Sequence, residues 1–191
     1  MAADAPLLEM IRAATAHHHA ALEQQLDLNT RGWTRDQYAA FLRGTLAVVG
    51  PAAGLIQQEL GDRFDLSMGV GAPDARLRRD LEALGETPAP PGLVPAVTTK
   101  ARAYGAAYVL QGSLLGGQLI AAALERTLGL SQAQLSYLRP PVAIGPRWKA
   151  FTSELNAYGD AATHADRDVA VGAAVDYFAA FAASFQREGL A

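Results

Sequence analysis

Cysteine is absent from this 191-residue chain, which excludes disulfides, iron–sulfur clusters and thiolate metal ligands. That absence fits a reducing cytoplasm. Charged residues make up only 18% of the chain, the net charge is −3, and no basic run occurs, so nucleic acid is not the expected partner. The N-terminus carries Asp4 and Glu9 and lacks a basic stretch leading into an apolar one, so no signal peptide is expected. A membrane-spanning helix needs about 20 predominantly apolar residues. The longest candidate, within 103–124, is interrupted by glutamine, serine and glycine and reads as a buried segment, so no membrane partner is expected. Catalytic signatures are missing too. There is no glycine-rich phosphate loop, no Gly-x-Ser-x-Gly elbow, no His-Glu-x-x-His pair and no Glu-x-x-His di-iron motif.

What the chain has is helical periodicity. An apolar stripe runs through Leu7, Ile11, Ala14, Leu22 and Leu26 and predicts a helix over 5–27. Thr34 with Gln37 has the form of a capping box opening a helix from Arg35 to about Leu60, which Pro51 is expected to kink or divide. Pro73-Asp74 opens a short charged helix ending near Gly85, and the proline-rich stretch 87–95 reads as a surface loop. A long helix follows from about Val97 to Leu128, stopped by Gly129. Two more are expected, from about Pro146 to Tyr158 and from about Ala165 to Gln186. No internal repeat is present. The expectation is one all-α domain spanning 1–191.

The long helix is unusual for the glycines it tolerates. Residues 104–130 read YGAAYVLQGSLLGGQLIAAALERTLGL, with glycine at 105, 112, 116 and 117. Each interior glycine is less favourable than alanine by about 0.8–1 kcal/mol. At about 100° per residue, Gly105, Gly112 and Gly116 share a narrow sector, so bare backbone forms a stripe. Either a neighbouring helix or a ligand approaches unusually close there.

Three of the four histidines, His17, His18 and His19, are consecutive on the first helix. A solvated surface cluster is one reading. With Ile11 as the stripe centre, His18 falls near the centre, His17 toward solvent, and His19 at the edge of the apolar face beside Leu8 and Leu26. Arg12 lies two turns before His19 on nearly the same line, about 10 Å away by helix rise. A neutral imidazole at an apolar rim can ligate a metal, while a guanidinium two turns along pairs with a carboxylate of the same ligand. A large planar metallo-ligand with peripheral carboxylates fits both, and heme is that ligand. The glycine stripe would be the opposite wall.

Two stretches then resemble the heme oxygenases, particularly the bacterial type that accompanies phytochromes. One is Arg12-Ala-Ala-Thr15-Ala-His-His-His19-Ala-Ala-Leu22-Glu23, similar to the family's proximal helix. The other is Tyr108-Val-Leu-Gln-Gly112-Ser113-Leu-Leu-Gly116-Gly117, similar to its distal helix. A weaker third is Trp148-Lys149-Ala-Phe151-Thr-Ser-Glu-Leu155. The resemblance implies a single-domain helical bundle with its ligand sandwiched between the proximal and glycine-rich distal helices. It selects His19 over His18 as the axial iron ligand and Arg12 as a propionate partner. It places Tyr108 at a propionate, Gly112, Gly116 and Gly117 on the distal side, and Lys149 at a further propionate. His164, in a loop before the last helix, is expected to be a solvated surface residue.

The activity implied is oxidative opening of heme to biliverdin, carbon monoxide and ferrous iron. Heme is both substrate and oxygen-activating group, O2 is consumed, and electrons come from ferredoxin, flavodoxin or a reductase. Biliverdin would pass to an acceptor such as a phytochrome. The distal backbone at Gly112 and Gly116 would crowd bound oxygen toward a meso carbon, and water near Ser113 would supply protons. Two departures stand out. Ser113 occupies the position of the mammalian aspartate, followed by Leu114 where a polar residue can occur, and Ser153 falls near an expected arginine. The rival readings are a non-catalytic heme carrier of the same fold, disabled at Leu114, and a structural or sensor domain whose glycines only pack helices.

Overall fold

The computed structural model describes residues 5–26, 32–61 and 72–190. Among them run six α-helices: α1 (Leu7–Leu26), α2 (Arg35–Leu60), α3 (Pro73–Leu84), α4 (Lys100–Leu128), α5 (Ile144–Ala161) and α6 (His164–Arg187). A short 3-10 turn, Gln132–Gln134, lies between α4 and α5, and the described residues contain no strand. The fold is all-α, as the periodicity requires.

The helix ends follow local chemistry. The Thr34 hydroxyl accepts the Gln37 N–H while the Gln37 side chain accepts the Thr34 N–H, which completes the capping box. α3 begins on Pro73 and stops at Gly85, whose φ of 81° is the left-handed conformation that glycine adopts freely. α4 begins at Lys100 rather than Val97, because Thr99 is extended and its hydroxyl caps the Arg102 N–H. It ends at Gly129, φ 63°. α5 begins at Ile144, which puts Pro146 in the first turn, where its missing N–H has no intrahelical partner to lose.

Pro51 does not divide α2. The proline removes the N–H that would bond the Ala47 carbonyl, and the Gly92 N–H takes its place at 2.9 Å. A Cβ on Gly92 would lie 2.7 Å from that same oxygen, so only glycine permits the approach. The proline-rich loop thus repairs the helix it crosses.

α4 packs on α6, α2 and α5, and α1 packs on α6 and α5, whereas α1 and α4 share no substantial interface. The core joins Tyr38, Leu42 and Leu46 of α2, Leu77 and Leu81 of α3, Leu110 and Leu124 of α4 and Tyr177 of α6, all fully buried. Each such aliphatic side chain contributes about 1.5–3 kcal/mol on burial. By length and composition α2, α4 and α6 could each span a bilayer; here they pack into one core.

α1 is pinned at its ends. Leu7 sits on Gly159, where a Cβ would approach to 2.6 Å, and the Leu8 N–H donates to Asn156 Oδ1 at 3.0 Å. The Arg167 guanidinium donates to the Ala5 carbonyl. At the other end Gln25 Nε2 donates to the carbonyls of Ala182 (3.1 Å) and Leu190 (2.7 Å). The middle of α1 is left facing a gap.

Candidate functional site

That gap is a cavity of about 440 Å³ between α1 and α4. α1 contributes Arg12, His19, Leu22 and Glu23 to one side, and α4 contributes Tyr108, Gly112, Ser113 and Gly116 to the other. Phe41 and Thr45 of α2, with Phe178, Phe181 and Phe185 of α6, close it on the inside. Phe41 and Phe185 stack at 5.4 Å and Phe181 leans on Phe185 at 5.9 Å, giving a rigid aromatic wall.

The four glycines of α4 separate into two kinds. A Cβ on Gly105 would stand 2.1 Å from the Ala170 carbonyl oxygen, so this glycine exists for contact between α4 and α6. Gly117 is buried against Leu138, which a Cβ would meet at 3.0 Å, and it does not line the cavity. Gly112 and Gly116 do line it. A Cβ on Gly116 would meet nothing within 4 Å, and one on Gly112 only the tip of Trp148, at 3.7 Å. Protein packing offers no reason for these two. The single-face stripe of Gly105, Gly112 and Gly116 therefore serves a helix at one end and a cavity farther along.

Of the three adjacent histidines, His19 lines the cavity and His17 and His18 do not; their rings lie against each other at 3.8 Å. The His19 ring stands edge-on to Phe178 at 5.9 Å. Its Nδ1 faces Glu23 Oε1 at 3.5 Å, one helical turn on. A carboxylate on that side favours the tautomer with hydrogen on Nδ1 and leaves Nε2 with its lone pair for a metal. Both side chains are more than half exposed, so the pair orients the ring without adding much stability. Arg12 is exposed on the same wall, and Tyr108 is half-buried with its ring tilted over Trp148 at 5.6 Å. Lys149 is exposed and is not part of the cavity wall, and Ser153 is likewise exposed. His164 is the exposed first residue of α6 rather than a loop residue. Leu114 is buried in the core and does not line the cavity.

Polar groups are few inside. Ser113 Oγ donates to the Leu110 carbonyl at 2.8 Å and Thr45 Oγ1 to the Phe41 carbonyl at 2.7 Å. Sequence reasoning missed a further hydroxyl, Tyr137, which reaches the cavity from the segment after the 3-10 turn and is 2% exposed. Burial pushes its phenol up to about 12, against the opposing pull of the Ser113 hydrogen bond and the Arg76 charge. It also missed Thr45 and the phenylalanines. A helix pattern shows that such residues are buried, not which of them stop short of touching one another.

These features fit a flat metal-bearing ligand. Among the described residues no group of three or more His, Cys, Asp or Glu side chains could hold a metal ion. A metal on His19 must therefore bring its other ligands with it. Leu115 and Leu119 are exposed at 37% and 78% on the cavity wall, apolar surface that a hydrophobic ligand would cover.

The architecture matches solved structures over nearly its whole length. Heme oxygenase from Leptospira interrogans superposes with a TM-score of 0.73 at 16% identity, covering 96% of this chain and 100% of that one. The fold is that of the heme oxygenases. Heme oxygenase from Neisseria meningitidis, solved with NO and CO bound, gives a TM-score of 0.72 at 20% identity, covering 98% of this chain and 94% of that chain. No family model matches the sequence, and no curated protein does. In the heme oxygenase fold, then, this chain keeps a histidine on one wall of its cavity and two uncovered glycines on the other.

Proposed function

We propose that the protein is a heme oxygenase, cleaving heme to biliverdin with release of carbon monoxide and ferrous iron. O2 and an external electron donor such as ferredoxin, flavodoxin or a reductase complete the reaction, and a phytochrome is a candidate acceptor for the product. The observation that carries the reading is the pairing of His19 with the open backbone of Gly112 and Gly116 across one cavity.

His19 would hold the iron through Nε2, with Glu23 orienting the ring from Nδ1. Heme, when bound, supplies the redox chemistry and is itself the carbon skeleton that is opened. Arg12, with Tyr108, would hold the propionates and so set the rotation of the ring about the iron–histidine axis. Gly112 and Gly116 would leave room on the α4 side of the cavity for a small ligand beside the ring, with bare backbone rather than a side chain limiting its space. The phenylalanine wall excludes bulk water from the inner end. Leu114 is turned into the core and does not line the cavity, which favours the enzyme over a carrier disabled at that position.

Hemin titration followed by reductant in air tests the reading. The expected result is a Soret band with a histidine–iron signature, giving way to biliverdin absorbance and carbon monoxide. A stable Soret band without product would make the chain a carrier, and no Soret band would leave a structural domain.

A further inference from the structure

The aromatic inner wall of the cavity has a glycine behind it. Gly44, on α2, is buried and does not itself line the cavity, whereas Phe185 of α6 does. A Cβ on Gly44 would stand 2.7 Å from Phe185 Cδ1 and 3.1 Å from its Cε1, so the ring occupies the space of a side chain at position 44. The two helices are tied together at this level. Ser184 Oγ donates to the Gly44 carbonyl at 2.8 Å, and Arg43 Nε donates to Glu188 Oε2 at 2.7 Å. Phe41 stacks on the Phe185 ring at 5.4 Å and Phe181 leans on it at 5.9 Å. With the backbones tied and aromatic neighbours beside the ring, the cavity is the open space left to a displaced Phe185.

We propose that Gly44 is a positioning residue that sets ligand-size specificity, fixing the depth of the cavity by letting Phe185 lie back against α2. The inference rests on the heme reading. Heme is polar at one edge, where its two propionates sit, and carries methyl and vinyl groups at the opposite edge. Arg12 is exposed on the cavity wall, and the phenylalanines close the inner side. Burying an unpaired carboxylate among phenylalanines is unfavourable, so the propionate edge faces Arg12 and solvent and the apolar edge faces inward. A side chain at position 44 would push the Phe185 ring into the cavity and shorten the space for the inward substituents.

The test compares hemin with deuterohemin, in which hydrogen replaces the two vinyl groups. Each is titrated into the apo-protein, followed at the Soret band, for wild type, Gly44→Ala, Phe185→Val and the double variant. Valine has no δ or ε atoms, so it removes the ring atoms that the alanine would meet. Gly44→Ala should weaken hemin binding about tenfold, from overpacking, and deuterohemin binding by no more than about twofold. In the Phe185→Val background the same alanine should leave both affinities unchanged, a comparison that stands even where Gly44→Ala alone does not fold. Equal losses for the two porphyrins in Gly44→Ala would mean general destabilisation and overturn the proposal. Wild-type affinity for both would overturn it too, as would an alanine effect that persists in the Phe185→Val background. A wild-type chain that takes up neither porphyrin would sink the heme reading itself, and this inference with it.

Discussion

The two ends of α4 use the same residue for opposite purposes. At Gly105 the neighbouring helix comes so close that a methyl group would overlap the Ala170 carbonyl. Three turns on, at Gly116, the space where a side chain would stand is empty. Glycine at the first position brings two protein backbones together, and glycine at the second keeps protein out. Helix propensity is unfavourable by the same amount at both, so the reason for tolerating it differs: core packing in one place, ligand access in the other.

The largest effect is expected from Gly105→Ala. Its Cβ would stand 2.1 Å from Ala170 O and 3.0 Å from Ala174 N, backbone atoms that cannot turn aside. Overpacking of this kind costs about 3 kcal/mol, and in a chain of this size that lowers the melting temperature by roughly 6–12 °C. A variant that melts like wild type would dissolve the distinction between the two ends.

Gly116→Leu tests the other end. Leucine is the better helix former by about 0.8 kcal/mol, and nothing lies within 4 Å of the added Cβ. The apo-protein should therefore melt at or a few degrees above the wild-type temperature, while hemin binding and turnover fall sharply. A destabilised variant that still takes up hemin would assign this glycine to packing as well. Gly112→Leu should behave similarly, tempered by contact with Trp148.

His19→Ala sharpens the comparison from the facing wall. It should abolish the histidine–iron absorbance spectrum and turnover, whereas His17→Ala, turned away from the cavity, should leave both nearly intact. Loss of ligation in His18→Ala alone would put the register of α1 off by one residue.

Arg12→Ala is expected to do least to binding. The side chain is exposed, so the propionate pair it would form is worth no more than about 1 kcal/mol, a change of about fivefold in hemin affinity. Its clearer signature is a broader set of biliverdin isomers by chromatography, because the ring loses a restraint on rotation. An unchanged isomer ratio would put Arg12 out of reach of the ring edge.

Much of this molecule was legible in the order of its residues. The helix ends at Thr34, Gly85 and Gly129 depend on atoms within a few positions of one another, so local chemistry decides them. The placing of His19 and Arg12 on one face of α1 is likewise a matter of angle, which periodicity resolves. Height along an axis is another matter. Gly105 and Gly112 differ by only about 20° in phase, yet they stand about 10 Å apart along α4 and meet different neighbours. Tertiary structure alone decided that the first meets α6 and the second a cavity. It also brought Gly92 to the carbonyl that Pro51 had orphaned, turned Gly117 toward Leu138, left Lys149 outside the site and carried Tyr137 to the cavity wall. The physical reason is common to all five. Each depends on a neighbour distant along the chain or on another element, and a hydrophobic pattern records that a residue is covered without recording by what.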